Sequence, residues 1–527
     1  MAGLNFNNLK VVSGEGHEYS LPESVRMQCV FCIHEESGAA YELHTDAFKP
    51  DVANRYLTVK MRFAKLNPQK GVVESHIIAK LYKSTEEKSG GVSHQIHSDS
   101  VPLERARREF KAIILEAMKE KAVDIHFVVR EHHVKVMFRI HGKIEPIEKF
   151  AYTRDSVTGL LGAIYGETKD SNDTSFSPRL RSSCTIKYDE PPVSLRWQTI
   201  PTGDSHGNDY DVILRVTRQD TGADSKIITL GELGYLDDQV ELLTAACNSK
   251  GGIFMSGITG SGKTTALRSL MEIVRGNGET KIYTVEDPIE LRIFGATQIN
   301  VRGGSMAETI KALMRADPDT IMVGEIRGKE VAEAMQDVLR SGHKMLTTIH
   351  ASSGLGIVPR LSSESIGVSR DTIVEPNFVS CLVYQYLMPT LCLHCKINVS
   401  DARDKVAHIE HHLFHEDRYS LNPDTVFVAN KNGCDRCRKG IAGMTICAET
   451  IRLTDEMAEL LRDRKDSEAL RQYRLQRHAP FDDPRMSGKT SYEAAIYKVS
   501  QGIIDPNDVN LMCGAMSLEN IVKGHYA

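Results

Sequence analysis

The sequence predicts an α/β chain built on a mainly parallel sheet, and three observations carry that expectation. From about residue 228, short apolar runs alternate with amphipathic helical patterns; each run has the length of a strand; and one leads directly into a glycine-rich turn ahead of a helix. Alternation of this kind places strands side by side with helices on both faces. The strand candidates are GGIFMSG (251–257), KIYTVED (281–287), DTIMVGE (319–325) and KMLTTIH (344–350). Between them lie the helical patterns KTTALRSLMEIVR (263–275), SMAETIKALMRAD (305–317) and KEVAEAMQDVLRSG (329–342), with apolar positions three and four apart.

Upstream, residues 1 to about 80 read as irregular, and KSTEEKSGGVSHQIHSDSVP (83–102) has the composition of a flexible linker. A helix is expected over LERARREFKAIILEAMKEKA (103–122), then two strands within 123–147, and further strand character at 194–201 and 210–217. The expected division is 1–95, a region of unknown role plus linker; 96–225, a smaller α/β domain; and 226–527, the main domain. The last includes a cysteine-bearing insertion (about 390–440) and a helical tail.

Composition narrows the class. Lys plus Arg is 65 against 70 Asp plus Glu, a net charge of −5, so the basic surplus of a nucleic-acid binder is missing and no direct nucleic-acid contact is expected. No apolar run reaches the roughly eighteen residues of a membrane span, and MAGLNFNNLK is not a secretory signal. Eleven cysteines argue for a reducing compartment with some thiols as metal ligands, hence a cytoplasmic protein.

Gly257-Ile258-Thr259-Gly260-Ser261-Gly262-Lys263-Thr264 satisfies the phosphate-loop pattern GxxxxGK[ST], with Thr265 following. Glycines let backbone N–H groups turn in around phosphate oxygens, and the next helix aims its positive end at them. Lys263 is expected on the β- and γ-phosphates and the Thr264 hydroxyl on magnesium. A chance glycine-rich turn would lack the strand before and the helix after, both of which are here.

Two other strand candidates end in acids, at Glu286-Asp287 and at Glu325. Acids at the C-terminal ends of parallel strands face the crevice where a phosphate loop works. Hydrolysis needs one to orient water, assigned to Glu286, and one on the magnesium side, assigned to Glu325. His343 and His350 bracket KMLTTIH, which makes them candidate γ-phosphate sensors or else ordinary packing residues.

Cys392-x-x-Cys395 and Cys434-x-x-Cys437 are two pairs able to complete a tetrahedral four-thiolate zinc site, structural because no coordination position stays open. Cys29-x-x-Cys32 has no matching pair and reads as two semi-buried cysteines.

Taken in order, these residues resemble the type II secretion and type IV pilus assembly ATPase family. The likeness rests on the phosphate loop, Glu286-Asp287-Pro288 with trailing Glu290, Asp317 to Arg327, and Gly342-His343 to His350. It extends to Asp124-Ile125-His126, Phe138 to Gly142, and the region of Arg196, Pro201 and Leu214-Arg215. The resemblance implies a RecA-like ATPase domain preceded by a PAS-like α/β domain, and a homohexamer using ATP, Mg2+ and Zn2+. It also implies Arg196, Arg215 and Arg218 directed at nucleotide. The work implied is assembly of a pilus through an inner-membrane platform protein that inserts pilin, with membrane association only through that partner. Ala316, Gly328 and the TIHASSG ending depart from the commoner boxes and resemble plasmid-borne thin-pilus ATPases tied to conjugation. The alternatives are the motor of a conjugative or DNA-uptake machine, and a nucleic-acid helicase.

Overall fold

The computed structural model describes parts of residues 9–81 and most of 103–518; residues 167–175, 189, 204–208, 219–226, 277, 290, 302 and 416–417 are not among those described. The expected linker and Glu290 therefore lie outside the described residues. The chain forms two compact units, Met1–Asp99 and Ser100–Ala527.

The first unit corrects the reading of 1–80 as irregular. It holds a four-stranded sheet, β1 (Leu9–Val11), β2 (Cys29–His34), β3 (Ala40–His44) and β4 (Gln69–Val72), in that order. CVFCIH is buried on both faces and so carries no period-two alternation to betray a strand. Phe31 stacks on Phe63 with ring centroids 4.4 Å apart. Cys29 and Cys32 stand three apart on β2 and face opposite sides of the sheet, in two separate apolar clusters.

The second unit begins with the helix Leu103–Lys119, whose buried stripe is Ala106, Phe110, Ile113, Ile114 and Ala117. It packs beside the helix Arg154–Gly166. Both cover one face of an antiparallel sheet made of β5 (Asp124–Val129), β6 (Val134–Ile140), β7 (Lys143–Pro146), β8 (Ser182–Tyr188), β9 (Val193–Pro201) and β10 (Tyr210–Arg218). The strand order is β7-β6-β5-β10-β9-β8. Along β9, Val193, Leu195, Trp197 and Thr199 point into the core and the alternate residues point away. Residues 123–147 make three strands where two were expected, because His141 and Gly142 at φ 49° and 80° turn the chain back at once.

The remainder is the expected parallel sheet. It comprises β11 (Gly251–Ser256), β12 (Ile282–Glu286), β13 (Ala296–Asn300), β14 (Thr320–Val323), β15 (Lys344–Thr348) and β16 (Val379–Leu391). Between β16 and the last strand of this sheet run β17 (Ile397–Asn398) and β18 (Phe427–Val428), a separate two-stranded ribbon; β19 (Ile441–Ile451) then returns to the main sheet. The order is β13-β12-β14-β15-β11-β16-β19, and only the β16–β19 pair is antiparallel. The tail after residue 440 is thus not wholly helical: IAGMTICAETI closes the sheet before the helices Asp455–Arg462, Asp466–Leu475, Ser491–Ser500 and Pro506–Met512. No helix among the described residues is long and apolar enough to cross a membrane.

Candidate functional site

Register places the C-terminal ends of four strands on one rim. Met255 of β11 pairs with Thr348 of β15, Val323 of β14 with Thr347, and Val285 of β12 with Val323. Just above that level the chain is stitched across: Ile349 N donates to Met255 O at 3.0 Å, Ile326 N to Thr348 O at 3.0 Å, and Gly324 N to Val285 O at 2.9 Å. The phosphate loop, Glu286, Glu325 and His350 all leave the sheet at this rim.

The loop itself is braced from below. Gly257, Gly260 and Gly262 have φ of 151°, 78° and 84°, open to glycine and strained for other residues. A Cβ at Gly257 would lie 2.4 Å from Gln385 O and 2.5 Å from Ser261 Oγ. Gln385, fully buried on β16, donates through Nε2 to Ser261 O at 2.6 Å and accepts from Tyr235 OH at 2.5 Å. Burial pushes the Tyr235 phenol far above its usual range, so it stays a donor. Thr259 and Gly260 are exposed at the tip, while Lys263, Thr264 and Thr265 are half-buried in the first turn of the helix Lys263–Arg275. Lys263 Nζ points back into the loop and donates to Gly257 O at 2.8 Å and Ile258 O at 3.0 Å.

Glu286, buried as the last residue of β12, accepts from Thr284 Oγ1 at 2.6 Å and from Gln298 Nε2 at 3.0 Å. Two fixed donors on Oε1 leave the carboxylate one orientation. Glu325 is shared: Oε1 lies 3.2 Å from His350 Nε2 and Oε2 accepts from Arg327 Nε at 2.8 Å.

The two histidines part company. His350 joins Glu325 on the rim, but His343 precedes β15 at the far end of the sheet and meets Ser341 Oγ at 2.7 Å through Nδ1. Seven extended residues span roughly 23 Å, so one phosphate cannot touch both. Of the two candidate sensors, only His350 stands on the rim of the phosphate loop in this chain.

In the N-terminal sheet, register lines up Arg139, Asp124, Arg215 and Arg196 across β6, β5, β10 and β9 on the face away from the core. Asp124 is buried and divides its carboxylate: Oδ1 lies 3.2 Å from Arg215 Nε and Oδ2 3.3 Å from Arg139 Nε. Arg196 is exposed beside Arg215, whereas Arg218 is turned to Met118 O at 2.6 Å. Arg139 and Asp124 were quoted in the sequence only as part of a signature; their role as a row appears with the register.

The cysteine pairs meet because of strand pairing. Cys392 and Cys395 follow the end of β16, Cys434 and Cys437 precede β19, and those strands are antiparallel partners. Cys392 and Cys434 sulfurs are 3.7 Å apart, Cys395 and Cys437 3.5 Å, Cys434 and Cys437 3.6 Å, and all four lie within 4.8 Å. Four thiolates around a tetrahedral ion at ~2.3 Å stand ~3.8 Å apart, so the cluster has the dimensions of a metal site.

Residues 98–508 match the family described as type II/IV secretion system protein. The type IV pilus assembly ATPase PilB of Pseudomonas aeruginosa is 28% identical over 439 residues, 81% of this chain and 69% of that protein. The type II secretion system protein E of Klebsiella pneumoniae is 31% identical over 301 residues, 55% of this chain and 56% of its own length. Among solved structures, the Legionella pneumophila ATPase DotB superposes with a TM-score of 0.52 at 19% identity. That match covers 77% of this chain and 95% of DotB, a likeness of fold.

Proposed function

The chain belongs to the type II/IV secretion system protein family, and on that premise we propose that it is a magnesium-dependent ATPase. Its work would be to drive type IV pilus assembly or related protein secretion as a homohexamer. The observation that carries this reading is the shared rim: a braced phosphate loop, an oriented buried carboxylate and a Glu325–His350 pair leave adjacent strands at one level.

The residues fit ATP. Glycine backbone at positive φ allows N–H groups to turn in around phosphate oxygens, and Lys263 lies across the loop on two carbonyls that phosphate oxygens would replace. Thr264 and, on the same rim, Glu325 would hold magnesium, which neutralises charge on the β- and γ-phosphates. Glu286, fixed by Thr284 and Gln298, aligns the attacking water and accepts its proton. His350 would read the γ-phosphate and report through Glu325 and Arg327. Arg215, held by Asp124, and its neighbour Arg196 would approach the γ-phosphate as the N-terminal domain closes, a contribution of about 10³–10⁵ in rate for comparable arginines in GTPases. The four cysteines would hold zinc as a structural ion, and the motor would act on an inner-membrane platform protein from the cytoplasmic side, with pilin as the indirect cargo.

Size and DNA response test the reading together. With ATP and magnesium the purified chain is expected to sediment as a hexamer whose ATPase rate DNA leaves unchanged. Many-fold stimulation by DNA would replace the pilus or secretion motor with a nucleic-acid motor.

A further inference from the structure

The strands that carry the cysteines continue well past the phosphate loop. Ser256 pairs with Tyr384, and beyond it β16 runs on from Gln385 to Leu391 against β19 alone, a ribbon of roughly 23 Å. The tetracysteine module sits at its tip, on the phosphate-loop side of the sheet. Directly after Cys437 comes a tight turn in which Arg438 N and Ile441 O, and Ile441 N and Arg438 O, bond at 3.1 and 2.9 Å. Lys439 and Gly440 take φ of 48° and 82° there.

That turn grips the N-terminal domain. Arg438 donates through Nη1 to Glu120 and through Nη2 to Glu145 Oε2 at 3.0 Å, and Lys439 Nζ donates to the same oxygen at 2.9 Å. Glu120 directly follows the helix Leu103–Lys119, and Glu145 lies on β7, the edge strand. One residue before β7, Gly142 lies close to Met512, whose Cε is 3.0 Å from the glycine's would-be Cβ, and Lys143 donates to Asp508 Oδ1 at 2.6 Å. Arg438, Glu120 and Glu145 are 31, 21 and 16% exposed, so the network is only partly open to solvent and to screening by salt. Burial alone would raise the Glu145 pKa; hydrogen bonds from Lys439 and Arg438 outweigh it and bring the pKa below the usual range.

We propose that the tetracysteine module is the dock that holds the N-terminal domain on this chain's own ATPase core, with Arg438 and Lys439 as positioning residues. Metal bound by the four thiolates keeps their turn in register, since Cys437 is one wall of it and β19 the other. The height of the ribbon then sets how far Arg139, Arg196 and Arg215 stand from the phosphate loop. This last consequence rests on the proposed ATPase reading; the dock does not.

Hydrogen exchange on the full chain tests it. In Arg438→Glu/Lys439→Glu, loaded with zinc to the same content as the parent, amides of 116–120 and 143–145 are expected to exchange at least tenfold faster. Arg438→Gln should give a smaller rise. Adding Glu120→Lys and Glu145→Lys should restore protection, and chelating zinc from the parent should reproduce the loss. Unchanged exchange in the reversed chain, or no rescue by the compensating pair, would overturn the dock. Unchanged exchange after chelation would overturn the metal's part in it. A parent chain that docks by exchange yet hydrolyses no ATP would instead overturn the ATPase reading and leave the dock standing.

Discussion

Ser256 and Ala351 hold each other twice: Ala351 N donates to Ser256 Oγ at 2.8 Å, and that hydroxyl donates to Ala351 O at 3.0 Å. Ser256 is the last residue of β11 before the phosphate loop, and Ala351 follows His350. Together with the Ile349 N–Met255 O bond, this hydroxyl fixes the spacing between the phosphate loop and the histidine that pairs with Glu325. Ser256→Ala leaves a backbone donor and acceptor without their partner, at a cost of about 1–3 kcal/mol. The expected outcome is a lower Tm with a larger fall in kcat than in ATP affinity; an unchanged kcat would separate His350 from the chemistry.

Gln385 ties the phosphate loop to Tyr235. Gln385→Leu keeps the volume and removes both bonds, leaving Ser261 O and Tyr235 OH unmatched in the interior. ATP affinity should weaken about tenfold, equivalent to about 1.4 kcal/mol, and Tyr235→Phe should weaken it less. In the double variant the two losses should not add, because they break one chain of bonds. Isothermal titration with a non-hydrolysable ATP analogue reads all three.

The sulfur cluster predicts one zinc per chain by elemental analysis and loss of that zinc in Cys395→Ser. The Cys395→Ser chain should unfold at lower temperature than the parent, since thiolate binding stabilises only the folded arrangement. Cys29→Ser should leave the zinc content unchanged, because β2 turns Cys29 and Cys32 to opposite faces.

Glu449, buried on β19, accepts from Gly354 N in the loop after His350, and burial raises its pKa to about 7 despite that bond. A carboxyl whose folded pKa lies above its unfolded value, about 4.3, contributes stability fully present below that value and lost as pH rises through 7. Glu449→Gln cannot ionise, so its Tm should match the parent near pH 4.5 and exceed it at pH 8. A constant offset at both pH values would contradict the assignment.

Much of the ATPase core was legible because it is local. The strand GGIFMS, the glycine loop and the helix Lys263–Arg275 follow one another in the chain, and period and composition alone mark them. The acids at 286 and 325 were legible by position at strand ends. What escaped depends on partners far apart: Ser256 and Ala351 are 95 residues distant, and Tyr235 and Gln385 150. Gln385 did carry a signal, a lone amide within the apolar strand VSCLVYQYLMPTL, since buried polar side chains need partners. β19 escaped because small residues and threonines dilute its pattern, and β2 because both its faces are buried. That His343 and His350 stand at opposite ends of β15 was legible from their positions on either side of KMLTTIH.

The most direct test is the steady-state ATPase rate of the parent beside Glu286→Gln and Lys263→Ala, with nucleotide binding measured on the same samples. The account predicts that the parent hydrolyses ATP, that Glu286→Gln binds ATP but turns it over at least a hundredfold more slowly, and that Lys263→Ala fails to bind. Full turnover in Glu286→Gln would contradict it.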